Sequence, residues 1–313
     1  MRYRLFMVLW LVTAVCQAVE QDYQLQPRQV AENTYALIGR NEHFSFSNGG
    51  NIVNTGFIIT ETGVVVIDSG PSRLYGEQLK AAIATLTDKP VVKLYITHMH
   101  PDHFLGNQAF EALPIAALEK TRKGIHLMGE TFNDNLYRLV GSWMKGTRVV
   151  EPNQQVEPGL KEIGGHRLQL IAMQGHTGAD LAILDETTGV LFAGDLVFYG
   201  RTPTTPHANL EKWQAALQQL QTLDFEVLVP GHGEPVTSHV AISQTSTYLS
   251  WLEGYLAEKA ESGSAMAELL QPKAPKALWE LAVFSDEYIR SLSHLYPALE
   301  AAALADGKVE QLQ

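Results

Sequence analysis

Four side chains able to hold a metal fall within six residues, in the run His98-Met99-His100-Pro101-Asp102-His103. Imidazole nitrogens and carboxylate oxygens together suit zinc, and they also serve iron and manganese. In extended or loop backbone, His98 and His100 point the same way and can grip one ion. Asp102 and His103, past the turn at Pro101, can face a second ion beside it. A helix would not present the four in this way, and Pro101 disfavours helix for the residues before it.

Three further donors each follow a glycine: Gly175-His176, Gly194-Asp195 and Gly231-His232. Glycine lets the backbone turn sharply and bring the next side chain out at a sheet edge. The set is five imidazoles and two carboxylates with no thiolate. The other six histidines, His43, His126, His166, His207, His239 and His294, read as ordinary solvated or core residues. His207 is the least secure of these, because it ends a Pro/Thr-rich loop, 199–207, just after Asp195. In that loop Tyr199 and Arg201 are candidate substrate contacts, weighed against ordinary loop residues.

These donors need strands to carry them. Apolar runs at 34–39, 54–60, 64–68, 91–97, 167–173, 181–184, 190–193 and 226–229 read as strands, and most of the donors stand at or just past strand ends. Helical periodicity marks 71–86, 119–144 and 210–223. Strands in antiparallel-looking hairpins, interspersed with one-faced helices, imply two sheets with helices outside, an α/β (α+β) class. From 238 to 313 the chain turns nearly all helical, interrupted at Pro272 and Pro275, and reads as a C-terminal helical extension of a domain spanning 19–237. Trp213, Trp251 and Trp279 fall on helical stripes and are expected to be core or helix-packing residues.

Arg2 and Arg4 precede an apolar run, 5–15, and a small-residue stretch ending at Ala18. That is the pattern of a signal peptide, assigned to 1–18. The run is shorter than the roughly 20 residues a bilayer span requires, so an uncleaved anchor is the lesser reading. A lipidated Cys16 is weaker still, because Val15 precedes it where Gly, Ala or Ser is usual. Export predicts a periplasmic protein without stable membrane insertion. Loss of Cys16, the one cysteine, would leave no disulfide. Over the whole 313 residues, 45% hydrophobic and 18% charged describe an ordinary globular chain. A net charge of −11, without a Lys/Arg cluster, argues against nucleic acid and leaves a small molecule as the expected partner.

The ordered set His98–His103, Gly175-His176, Gly194-Asp195 and Gly231-His232 resembles the metallo-β-lactamase superfamily. The preceding Thr55-Gly56-Phe57-Ile58-Ile59 and Val65-Val66-Ile67-Asp68-Ser69-Gly70 are also similar to its first strands. The resemblance implies an αββα sandwich with two Zn²⁺ at one edge. It implies that His98, His100 and His176 hold the first metal, that Asp102, His103 and His232 hold the second, and that Asp195 bridges both. A hydroxide between the metals would attack an ester-like bond, with Asp102 orienting it and passing a proton to the leaving group. Asp68 would fix the ligand loop by hydrogen bonds, the alternative being a plain turn residue. An Asp at position 195 looks like thioesterases and lactonases of the superfamily, whereas its lactam-hydrolysing members usually carry Cys or Ser there.

Residues 41–51 form a polar, Gly-rich loop where that family often has a flap; Phe44 and Phe46 would cover substrate or pack on the C-terminal helices. The stretch 48–57, the export pattern and the helical C-terminus look most like the SoxH-like or quinoprotein-relay zinc metallohydrolases. That likeness would imply a periplasmic redox-system partner. Three alternatives stand beside the hydrolase: a mononuclear iron enzyme like a persulfide dioxygenase, using His98, His176 and Asp195; a broad-spectrum β-lactamase; and a non-catalytic binding protein.

Overall fold

A computed structural model describes residues 21–310 of the chain, so the expected signal peptide at 1–18 lies outside the described residues. Two sheets face each other. The first holds β1 (Arg28–Ala31), β2 (Thr34–Leu37), β3 (Thr55–Ile59), β4 (Val64–Ile67), β5 (Val91–Tyr95), β6 (Ile115–Ala117) and β7 (Gln154–Gln155), side by side in chain order. The second holds β8 (Gly159–Ile163), β9 (His166–Met173), β10 (Asp180–Asp185), β11 (Val190–Phe198) and β12 (Val227–His232), again in chain order. The helices are α1 (Arg73–Ala84), α2 (Pro101–Phe104), α3 (Glu119–Val140), α4 (Leu210–Leu220), α5 (Val240–Glu261), α6 (Lys276–Trp279) and α7 (Phe284–Glu310). Among the described residues, no helix is long and apolar enough to cross a membrane.

The two-residue period of a strand explains how short apolar runs build this sandwich. In β4, Val65 and Ile67 turn toward the second sheet, while Val64 and Val66 pack under α1 and α3. In β10, Leu181 and Ile183 meet them between the sheets, while Ala182 and Leu184 face α4, α5 and α7. Both faces of these strands are buried, so the runs are apolar throughout rather than alternating. The layers are helix, sheet, sheet, helix. The C-terminal helices share one core with β11 and α4: Leu196, Val197, Phe198 and Trp213 pack with Tyr248, Leu252, Tyr288 and Tyr296.

Pairing departs from the hairpin reading. Strands β1 to β4 are antiparallel, but β4 through β7 pair in parallel, as do β11 and β12. Parallel neighbours need a crossover, and α1 and α4 supply it for β4–β5 and β11–β12. Helix α1 starts at Arg73 because Ser72 caps it, accepting from Tyr75 N. Four strands gave no sequence signal: β1, β6 and β7 are short, and β8 is half-exposed and mixed in character. Trp213 is fully buried and donates Nε1–H to Leu196 O at 2.9 Å. Trp279 is 43% exposed and its ring packs on Phe284, so it is a helix-packing residue rather than a core one.

Candidate metal centre

Every candidate ligand arrives at one edge of the sandwich, where both sheets end. After β5, Thr97 leads into a bend at His98 and Met99, and His100 precedes α2 in extended conformation (φ −77°, ψ 148°). Pro101 then opens a short helix, where a proline costs nothing because the first N–H groups have no partner. Asp102 and His103 therefore stand in a helical turn rather than in loop backbone, while His98 and His100 precede it.

Strand β11 does not stop at residue 193; it runs to Phe198 through a register irregularity around Gly194. Gly194 sits at φ +52°, a left-handed conformation that re-aims Asp195. Gly175 and Gly231 are required for a different reason. A Cβ on Gly175 would lie 2.5 Å from Trp213 Cα, and one on Gly231 would lie 2.0 Å from Asp195 Oδ1. Close approach, not a turn, demands glycine there.

The donors form two adjoining groups: His98, His100, His176 and Asp195, then Asp102, His103 and His232. All seven are buried. His100 Nδ1 lies 3.1 Å from His98 Nε2 and 2.8 Å from His176 Nε2. The Asp195 carboxylate sits between the groups. Its Oδ2 is 3.3 Å from His176 Nε2, 3.7 Å from His98 Nε2 and 3.2 Å from His232 Nε2, and its Oδ1 is 3.1 Å from His103 Nε2. Asp102 Oδ2 is 3.5 Å from His232 Nε2 and 3.7 Å from His103 Nε2.

The outer nitrogens are held from behind. His103 Nδ1 is 2.7 Å from Asp68 Oδ2, and His232 Nδ1 donates to Ile52 O at 2.7 Å. Asp68 also accepts from Thr97 N and Thr97 Oγ1, each at 2.8 Å. Thr97 Oγ1 in turn lies 3.0 Å from His98 Nδ1. Asn54 ties down the His232 turn, donating to Pro230 O and Gly233 O. Neither Thr97 nor Asn54 stood out in the sequence, where each is an ordinary polar residue flanking a strand.

This donor set fits a divalent metal. Buried imidazole nitrogens converge on one another and on a carboxylate, and His103 Nε2 and Asp195 Oδ1 lack a well-aligned hydrogen bond. Burial, helped by neighbouring imidazoles, pushes His98, His100 and His176 well below the usual imidazole range, so each offers a lone pair. For Asp195, burial acts upward, but His232, His103, His98 and His176 outweigh it and hold the carboxyl well below its usual range. His103 is also pulled downward by burial, but Asp195, Asp68 and Asp102 raise it well above the usual imidazole value.

A pH test follows for the metal-stripped protein. Below about pH 6.5 the unfolded chain protonates the three depressed imidazoles and the native state does not. Stability therefore rises from about pH 5 to 6.5. Asp180, raised to about 7 by burial, works the other way over that window, but as one group against three. His103 is protonated in both states there, and its contribution fades only as pH climbs through its raised native value. Urea midpoints across this window check the slope; a flat or falling profile would contradict these protonation states.

The centre opens into a cavity of about 640 Å³. Phe44, Ile52, Phe132, Leu136 and Leu139 form an apolar wall, and Arg201, His207 and Arg290 are among the polar residues that line the rest. Phe44 is half-buried there, whereas Phe46 is 61% exposed and lies against Gly141, its backbone O accepting from Trp143 Nε1. Tyr199 does not line the cavity. Its ring packs on the core of the C-terminal helices, and its N donates to His232 O. Arg201 does reach the cavity, but its buried guanidinium is paired with Glu287 of α7 at 3.4 Å.

Residues 48–232, the segment from the 41–51 loop to the last candidate ligand, match the family model described as the metallo-beta-lactamase superfamily. The chain belongs to this superfamily. Among similar proteins, a linear primary-alkylsulfatase of Pseudomonas sp. is 20% identical over 277 residues, covering 74% of this chain and 52% of that protein. An acyl-coenzyme A thioesterase of Gallus gallus is 24% identical over 234 residues, covering 66% and 81%. The chain spans about half the length of three of the curated relatives it matches. A metallo-beta-lactamase from Pontibacter korlensis superposes with a TM-score of 0.58 at 24% identity, covering 72% of this chain and 99% of that one, which speaks to the fold alone.

Proposed function

We propose that the chain is an exported, dinuclear zinc hydrolase of ester-like bonds, a thioester or lactone before a lactam. The observation that carries this reading is the Asp195 carboxylate, whose oxygens reach both groups of imidazoles in a site without a thiolate. His98, His100 and His176 would hold one ion and Asp102, His103 and His232 the other, with Asp195 common to both. Zinc bound there would supply Lewis acidity and a water acidic enough to ionise near neutral pH.

The remaining work falls to the chain itself. Asp102, at the cavity floor, orients the nucleophile and moves a proton toward the leaving group. Phe44, Ile52, Phe132, Leu136 and Leu139 exclude water and seat an apolar acyl portion. A relative named as an acyl-coenzyme A thioesterase accords with this choice of bond. Export to the periplasm rests on the pattern of residues 1–18. The SoxH-like likeness, and with it a redox-system partner, rests on residues 48–57, that pattern and the helical C-terminus.

The test is elemental analysis of the purified mature chain, with a hydrolysis screen over thioester, lactone, lactam and phosphoester substrates. The expected result is about two zinc per chain with thioester or lactone turnover. One iron with oxygen uptake would replace this reading by the iron oxidoreductase. Full zinc without turnover would favour a binding protein.

A further inference from the structure

His100 spends its Nδ1 on the ligand cluster, so its Nε2 points outward, and there it meets His207 Nδ1 at 2.8 Å. A bond between two ring nitrogens needs one donor and one acceptor. With the Nδ1 lone pair of His100 turned to the cluster, its Nε2 carries the proton and His207 Nδ1 accepts it. The other outer nitrogens that are held end on groups next to ligand-bearing strands: Asp68 for His103, Ile52 O for His232 and Thr97 for His98. His207 comes instead from the loop between β11 and α4, 107 residues away from His100.

That loop is anchored on α7 and on the residue stretch just before it. Thr205 Oγ1 donates to Ser291 Oγ at 2.7 Å, Arg201 pairs with Glu287, and Arg201 bridges to Ala282 in strand fashion. The His207 ring is also seated edge-on to Phe132, with centroids 6.0 Å apart.

We propose that His207 is a positioning residue that fixes the tautomer and ring orientation of His100, and that α7 holds it in place through Thr205 and Ser291. The proposal rests on the metal-binding function proposed for this site, and it makes the C-terminal helices part of the support of the metal site. Partners of this kind typically change metal affinity ten- to a hundredfold when removed.

The test uses the full-length protein. Zinc affinity is measured by competition with a chromophoric chelator, and the visible spectrum of the cobalt-substituted protein reports ligand geometry. His207→Phe keeps a ring but removes the acceptor, and should weaken zinc by about 10- to 100-fold and shift the cobalt bands. His207→Asn keeps an acceptor near the Nδ1 position and should restore both readouts close to the wild type. Ser291→Ala should weaken zinc in the same direction by less. Unchanged affinity and spectrum in His207→Phe would overturn the proposal, as would equal losses in the Phe and Asn variants, which would mark simple packing. A wild-type protein that binds no zinc would instead remove the metal reading itself.

Discussion

Asp102→Ala is expected to lower kcat toward a thioester or lactone by about a hundred- to ten-thousandfold while the protein stays folded. Asp102 is 5% exposed, lines the cavity, and presents Oδ2 to His232 and His103 at 3.5 and 3.7 Å. It is the only carboxylate of the second donor group. On the proposed reading, removing it takes away both a ligand and the group that handles the proton, and both losses would fall on the transition state rather than on substrate binding. KM should therefore move far less than kcat. Alanine is a good helix former and sits comfortably in the first turn of α2, so circular dichroism should be unaltered. Full retained activity would reject the assigned role.

Asp68→Asn should cost the second metal. Asp68 adopts φ +58°, a conformation that Asn tolerates, so the backbone is preserved. The new amide can still accept from Thr97 N, but its NH₂ then faces His103 Nδ1. That nitrogen must become the acceptor, and the proton moves to His103 Nε2, the atom facing Asp195 and Asp102. A protonated Nε2 offers no lone pair. Zinc content should fall toward one per chain, with metal affinity or activity down about 10- to 100-fold. Asp68→Ala is harsher: it leaves Thr97 N and His103 Nδ1 buried without an acceptor, a loss of about 3–5 kcal/mol readable by urea unfolding. An Asp68→Asn protein that holds both metals as tightly as wild type would rule out this linkage.

Much of this centre was legible in the chain before any contact was known. The spacing from His98 to His103, the glycines before His176, Asp195 and His232, and the apolar runs that end near them are local patterns. Secondary-structure periods and ligand chemistry act over a few residues, so they leave a trace in sequence. The layer order follows from strands apolar on both faces alternating with one-faced helices.

Other features depend on which segments pack together. Parallel pairing of β4 with β5 follows from the path of α1, and the reason for glycine at 231 lies in its distance to Asp195. Tyr199 turned into the helical core, although it shares a loop with Arg201 and His207. Thr97 and Asn54 became supports only because the ends of both sheets converge. The sequence by itself determined the identities and order of the seven donors and the strands that present them. Only the tertiary structure decided which imidazole faces which, and that His207 stands behind His100, because that contact forms when β11, α4 and α7 pack against the end of the other sheet.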